Sequence, residues 1–331
     1  MMAIPTKSMR RLSETQVWFK PVVVIVGPTA VGKSRIAVEV AKAFETEVLT
    51  ADSRQVYRGM DVGTDKPAPE ERQGIPHRLI DLVGPDESFN AGLYRRQAID
   101  EFERLYRDRR LPLVVGGTGL YVRTLLKGLC DAPPTDPIVR AALKQEAEDQ
   151  GHDRLYARLV EVDPVAPSRL HPRDESKVLR ALEVYQLSGR RMSEFQQEHG
   201  FAERPFSTLM IGLNRDRDAL YRRIEERIDW QLAHGLIEET KQLLDQGYQR
   251  DSAAMKGLGY RQVAEHLAGA YDSAEMVRRF KRDTRRFSKR QMTWFRKEPG
   301  IQWLTIEESE SVQHTTARVI GHADRFLTTL F

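Results

Sequence analysis

Cysteine is almost absent from this chain: Cys130 stands alone among 331 residues. A single thiol cannot close an internal disulfide or furnish a Cys-rich zinc site, and no motif surrounds it. Cys130 therefore reads as a small buried or half-buried residue, and a reducing, cytoplasmic setting follows most simply. Long apolar runs are missing too. No stretch approaches the roughly 18 apolar residues that a membrane-crossing helix needs. The opening MMAIPTKSMRRLSETQVWFKP has basic side chains with no apolar run behind them, so it does not read as a secretory signal. Residues 1–20 are expected to form a flexible tail. There is no internal repeat at a fixed period and no low-complexity tract. What remains, 40% hydrophobic and 30% charged, fits a globular chain and excludes a disordered one.

Charge is unevenly placed. The net charge is +4, yet residues 278–297, RRFKRDTRRFSKRQMTWFRK, hold ten Lys or Arg against one Asp. The rest of the chain is therefore net negative. Such local basicity suits a surface that meets a polyanion. Phe280, Phe287 and Trp294 recur every seven residues in this segment, and that stripe is expected to face the core of a helix.

The first strong element is the β-branched run Val22 to Val26, which reads as a buried parallel strand. GPTAVGKS follows at once, then an amphipathic helix from about Arg35 to Phe44. A second strand, Glu47 to Ala51, delivers Asp52 to its end. A helix over about 91–109 and a third strand, Leu113 to Val115, lead into Gly116-Gly117-Thr118-Gly119. This alternation predicts an α/β fold, a P-loop-type doubly wound parallel sheet. After the Pro-rich DAPPTDP at 131–137 no strand candidate occurs between about 138 and 198, where apolar residues follow helical spacing. The fold expected is thus a core over 21–135 and 205–310, a helical insertion over 136–204 and a C-terminal segment over 311–331. FSTLMIGL at 206–213 rejoins the sheet, further helices fill 217–246 and 275–296, and Ile301 to Ile306 is a candidate last strand.

Gly27, Pro28, Thr29, Ala30, Val31, Gly32, Lys33 and Ser34 match GxxxxGK[ST] in full, between a predicted strand and a predicted helix, which is the context the motif requires. Backbone N–H groups would wrap phosphate oxygens, Lys33 would set a cation on the outer phosphate, and Ser34 would hold Mg²⁺. The cradle is nucleotide- or phosphate-binding, but it does not define the chemistry. The strand before Gly116 ends without the carboxylate that an ATPase or GTPase uses for its metal.

GPTAVGKS, DSRQVY at 52–57, GGTGLYVR at 116–123, RALEVY at 180–185 and KRQMTWFR at 289–296 together resemble the tRNA dimethylallyltransferase family, the bacterial tRNA isopentenyltransferases. The likeness runs from about Val22 to about Trp303. It implies transfer of a dimethylallyl group from its diphosphate to the N6 amine of the adenosine 3′-adjacent to the anticodon, in tRNAs reading U-starting codons. The diphosphate would lie in the cradle and the base would be extruded into a channel. By the same resemblance Asp52 is the general base, Lys33, Ser34 with Mg²⁺ and the backbone amides steady the leaving diphosphate, and Thr118 contacts the leaving group or the target nucleotide. Arg217 and Arg223 either reach the phosphates or sit in solvent. Asp52, Ser53, Arg54, Gln55 and Thr118 resemble the stretch that reads the adenosine and its neighbour. Arg140, Ser176, Lys177, Val178, Leu179 and Arg180 align with the tRNA-facing part of the insertion. The partners implied are the tRNA anticodon stem-loop and dimethylallyl diphosphate, with no membrane, and a monomer is expected.

The chain departs from the family pattern at three places. Pro76-His77-Arg78 keeps one of two adjacent histidines, Gly63-Thr64-Asp65-Lys66-Pro67 stands for a GTAKP-like stretch, and His171-Pro172-Arg173-Asp174 for an HPND-like one. His77 reads as a structural hydrogen-bonder. Three other readings stay open on the residues alone: a small-molecule kinase using the cradle for ATP, a prenyltransferase of free adenylates, and a non-catalytic RNA binder.

Overall fold

The computed structural model describes residues 11–200 and 202–330. Its centre is a parallel sheet of β1 (Pro21–Val26), β2 (Val48–Ala51), β3 (His77–Arg78), β4 (Leu113–Gly116), β5 (Ser207–Asn214) and β6 (Ile301–Thr305). The strand order is β3-β2-β4-β1-β5-β6. Val22 to Val26 have no solvent exposure, which is why β1 reads as an unbroken β-branched run: helices cover both of its faces. The two-residue β3 carries no hydrophobic pattern, so periodicity does not reveal it.

Register decides where the site forms. Val26 lies opposite Gly116 on one side and Gly212 on the other, and Ala51 also lies opposite Gly116. Strands β1, β2 and β4 therefore end at one level, and the residues that follow, Gly27, Asp52 and Gly117, emerge side by side at the carboxyl edge. In open α/β sheets that edge is where ligands bind.

Helices α1 (Glu14–Trp18), α2 (Lys33–Ala43), α3 (Pro69–Arg72), α4 (Ala91–Arg107) and α5 (Gly119–Lys127) precede the helical insertion. The α1 segment corrects the expectation of a loose tail over 11–20. Ser13 and Gln16 form a reciprocal capping box, and the buried Gln16 Nε2 donates to Leu327 O at 3.0 Å. Residues 1–10 lie outside the described part. After the insertion come α10 (Arg217–Ala233), α11 (Leu236–Asp245), α12 (Tyr260–Leu267), α13 (Ser273–Arg296) and α14 (Val312–Thr328), with α14 packed against α2. Gly235, at φ 98°, divides α10 from α11.

The chain divides into two compact units. Residues up to Leu126 and from Arg204 form the sheet unit, and Lys127–Glu203 form a helical one. The helical unit contains α6 (Pro137–Gln150), α7 (His152–Val162), α8 (Glu175–Ser188) and α9 (Met192–His199) around Leu143, Leu155, Leu159 and Leu182. Asp163 ties two of these together, accepting from the Ser193 N–H and hydroxyl. Cys130 is buried in this unit.

A buried carboxylate braces the sheet edge. Glu47, its side chain 5% exposed, is met by Arg104 at 2.7 Å, Arg78 at 2.8 Å and Arg110 at 3.3 Å. Arg78 is one of the family departures, and it completes this cluster. Burial alone would raise the Glu47 carboxyl, but hydrogen bonds from Arg104 and Arg78 outweigh it and hold the group below the usual carboxylate value. Glu47→Gln is expected to cost about 2 kcal/mol at pH 7, since it strands three partly exposed guanidiniums. Because the folded pKa is depressed, the wild-type advantage is present above the unfolded value of 4.5 and vanishes as pH falls through the lower folded value. Urea unfolding of both proteins between pH 3 and 7 measures it.

Candidate active site

Gly27–Ser34 wraps the carboxyl end of β1 and runs into α2. Lys33 Nζ donates to Pro28 O at 2.8 Å, so its ammonium is folded over the loop's own backbone. Burial lowers its pKa to about 8; Arg227 pushes the same way, while Asp52 and Asp65 oppose it. Ser34 is exposed in the first turn of α2. The loop is held from outside as well. Arg223 Nε donates to Ala30 O at 3.0 Å, Arg215 Nε to Val31 O at 3.1 Å, and Arg227 Nη2 to Thr29 Oγ1 at 2.6 Å. Arg227 also pairs with Asp65 at 2.9 Å, so a second family departure, Asp65, fixes a cation at the mouth of the cradle.

Of the two arginines proposed from sequence, the structure brings only Arg223 to the loop. Arg217 is 77% exposed and lies against Asp218 at 3.5 Å. Helical geometry explains the difference. Arg227 follows Arg223 by four residues and shares its face, whereas Arg217 precedes it by six and lies well around the helix. That i, i+4 spacing is the signal in the sequence that could have found Arg227, which sequence reasoning missed.

Asp52 leaves β2 with Oδ1 accepting from the backbone N–H of Arg54 at 2.8 Å. Across from it Thr118 Oγ1 accepts from Ser53 N at 3.0 Å, and Thr118 N donates to Ala51 O at 3.2 Å. The two loops are thus knitted together. Behind them Tyr94 stacks on Tyr121 at 4.4 Å, and burial raises both hydroxyls. Gln55 departs from the expectation of an RNA contact: it is buried, and its Nε2 donates to Thr64 O and Asp65 O. Arg54 reaches Ala253 O.

A cavity of about 550 Å³ opens over these residues, within the roughly 300–1,000 Å³ range of small-molecule sites. Thr29, Asp52, Ser53 and Thr118 form one wall. The other carries Lys256, Tyr260, Arg282, Arg286, Phe287 and Arg290. The rim between them is stiff, because Glu239 accepts from three successive backbone N–H groups, Asp61, Val62 and Gly63, and from the Tyr260 hydroxyl.

Helix α13 faces this site with a polar strip. Thr284, Ser288 and Gln291 are buried on one side, together with Phe280 and Phe295. The seven-residue aromatic stripe is therefore core only at Phe280. Phe287 and Trp294 are half-buried, because 3.6 residues per turn carries a seven-residue repeat off the face. Gln291 is the residue that sequence reasoning passed over. Its Oε1 accepts from Thr29 N at 2.8 Å and its Nε2 donates to Gly117 O at 3.0 Å. The glycines opposite are needed for this approach: a Cβ on Gly117 would lie 2.3 Å from Gln291 Nε2, and one on Gly119 2.2 Å from Trp294. Gln291 lies within KRQMTWFR, where the cations drew the attention.

Those cations are not alike. Arg278 and Arg279 pair with Glu275, Lys281 with Asp229, Arg282 with Asp283 and Arg285 with Glu225. Among the described residues no ion pair neutralises Lys289, Arg290, Arg296 or Lys297. Lys289, Arg290 and Lys297 line a second, open groove of about 430 Å³ with Trp294.

In the helical unit the proposed RNA contacts separate. Ser176 and Lys177 are exposed, with Lys177 3.4 Å from Asp174, and Arg140 is half-buried. Val178 and Leu179 belong to the core of that unit, so their side chains do not face RNA. Arg180 braces it internally, bonding the fully buried Glu183 and Pro133 O. His171 and Asp174 form a local turn with Arg173 exposed, so that departure leaves the turn intact. His77 Nδ1 lies 3.0 Å from Ile75 O, and burial lowers its pKa, as befits a structural residue.

The IPP transferase family model matches residues 55–298. A tRNA dimethylallyltransferase of Geobacter sulfurreducens is 47% identical over 282 residues, covering 85% of this chain and 91% of that protein. A solved tRNA isopentenylpyrophosphate transferase of Bacillus halodurans is 35% identical, with a TM-score of 0.69, covering 94% of this chain and 99% of the other. A eukaryotic dimethylallyltransferase solved acting on tRNA is 28% identical with a TM-score of 0.80, covering 93% and 80%.

The lowered Lys33 pKa sets a pH signature. The ammonium is charged below about 8 and loses its proton above it, so binding of inorganic diphosphate should weaken as pH rises through 8. Comparison with Lys33→Met separates this from the titration of diphosphate itself. The variant is expected to bind at least about tenfold more weakly at pH 7, with the gap narrowing by pH 9.5. Calorimetric titration across that range reads it.

Proposed function

The chain belongs to the tRNA dimethylallyltransferase family, the IPP transferases, and from that premise we propose how its own residues carry the transfer of a dimethylallyl group to tRNA. The observation that carries the reading is convergence: the phosphate loop, Asp52 and Thr118 meet at one carboxyl edge around one cavity.

Dimethylallyl diphosphate lies with its two phosphates on Gly27–Ser34 and its allylic carbon toward Asp52. The acceptor is the exocyclic N6 amine of the adenosine 3′-adjacent to the anticodon, in tRNAs reading U-starting codons. The amine nitrogen forms a bond to the allylic carbon as the carbon–oxygen bond to diphosphate breaks. That electron pair leaves with the diphosphate, and the amine proton passes to Asp52. A carboxylate suits this task because the amine becomes acidic as the new bond forms. Negative charge grows on the departing oxygen where backbone N–H groups, Lys33, Arg223 and Arg227 converge, so their stabilisation is greatest in the transition state. Lys33 has only to exchange Pro28 O for a phosphate oxygen. Thr118, tied to Ser53, borders both the leaving group and the base.

Mg²⁺ fits as a companion of the diphosphate. Among the described residues no group of three or more His, Cys, Asp or Glu is arranged to hold a metal. Mg²⁺ commonly rests on few protein oxygens plus phosphates and water, and the exposed Ser34 hydroxyl supplies such an oxygen. When bound it would offset phosphate charge.

The unpaired cations at the end of α13, with exposed Ser176 and Lys177 on the helical unit, suit the tRNA backbone. Among the described residues no helix is long and apolar enough to cross a membrane.

Labelled dimethylallyl diphosphate incubated with total tRNA should place label on one adenosine beside the anticodon; turnover of ATP with no allylic product overturns the reading. Asp52→Ala is expected to lower the rate roughly 10²-fold or more with tRNA still bound. Joint replacement of Lys289 and Arg290 by Ala should weaken tRNA binding and flatten its log–log salt dependence by about 1.5, as two lost phosphate contacts would.

A further inference from the structure

Two surfaces of α13 do different work within one rigid element. The outer surface at its C-terminal end bears Lys289 and Lys297, Arg290 borders both that groove and the site cavity, and the inner surface at the same level bears Gln291. The Gln291 carboxamide is 7% exposed and engaged at both ends: its oxygen takes a phosphate-loop amide, Thr29 N, and its nitrogen holds Gly117 O, beside Thr118. No other side chain among the described residues bonds both the cradle and the Gly117 loop.

We propose that Gln291 is a positioning residue that couples occupancy of the phosphate cradle to occupancy of the RNA-facing surface. This rests on the reading of α13 as an RNA-facing helix. An amide clamped between two loops transmits any shift of its helix to both. When RNA bears on Lys289, Arg290 and Lys297, it restricts the helix that carries the clamp, and the clamp restricts Thr29 and Gly117. A cradle whose backbone is already ordered has less freedom to lose when diphosphate arrives. Linkage makes the effect mutual: RNA tightens diphosphate binding by the same factor that diphosphate tightens RNA binding. Trp294 strengthens the unit from the next turn, wedged against Gly119 with the Arg123 guanidinium 4.3 Å from its ring centroid.

The test uses inorganic diphosphate and an unmodified anticodon stem-loop. Diphosphate affinity is measured by calorimetry with and without saturating RNA. Wild type is expected to bind diphosphate about fivefold or more tighter with RNA present. Gln291→Leu removes both bonds, and Gly117→Ala dislodges the amide from the opposite side, since its Cβ would meet Gln291 Nε2 at 2.3 Å. Each should reduce the RNA effect to less than about twofold, and the double variant should lose no more than either single one. Gln291→Glu keeps the acceptor for Thr29 N and loses the donor to Gly117 O, so an intermediate factor is expected. If Gln291→Leu does not fold, Gly117→Ala and Gln291→Glu carry the test. The proposal is overturned if RNA leaves diphosphate affinity unchanged in wild type, or if the tightening persists in the folded variants, as it would were Gln291 only a packing residue that weakens both ligands alike. Failure of wild type to prenylate RNA would sink the proposed reaction and not this coupling, which needs no turnover.

Discussion

The parallel register of β1, β4 and β2 is the constraint from which the site follows. Because Val26, Gly116 and Ala51 stand level, three loops of unrelated sequence begin at one line. The phosphate loop turns one way, Asp52 caps its own turn, and Gly117 leads to Thr118. Slippage of β2 against β4 by one residue would send Asp52 to the opposite face of the sheet. The Glu47 cluster on the far end of β2 bears on the same question, since it binds that short strand to arginines from β3 and α4. A four-residue strand has few ladder bonds, and a buried carboxylate shared by three guanidiniums supplies part of its fixation.

Helix α13 joins this edge to a surface of opposite character. Its inward strip of Thr284, Ser288 and Gln291 is polar and buried, which is unusual for a long core helix. For Gln291 the reason lies across the interface, where its amide meets loop backbone and not apolar side chains. Its outward cations divide into a first group matched by acidic residues of α10 and α13 itself, and a last group left to solvent. Only the second is available to a polyanion. The local excess of charge in the sequence thus overstates the basic surface, and the folded arrangement confines it to the last turns.

The architecture was legible because its strongest elements carry their own signals. Val22 to Val26 is buried on both faces and must be uniformly apolar, and GPTAVGKS needs its glycines and lysine whatever surrounds it. The helical character of 138–198 was equally plain from period. What escaped was whatever depends on pairing across the fold. β3 is two residues long. Gln55 looked like a ligand residue because it stands close to Asp52, yet the turn after β2 carries it inward to Thr64 and Asp65. Val178 and Leu179 sit among exposed neighbours in sequence but on the buried face of α8. Arg217 and Arg227 lie on one helix but differ in both rotation about its axis and position along it. Gln291, an amide in a run of cations, has no local pattern at all; its partners are 262 and 174 positions away.

The resting posture of Lys33 has its own consequence. With Nζ bonded to Pro28 O, the ammonium is held over the loop by the loop's own backbone. An anion that enters must displace that carbonyl and match the charge of a buried ammonium. A ligand bearing two linked phosphates brings enough charge to do both. The charge requirement at Lys33 thus favours two linked phosphates over a single monoanion before any shape is read.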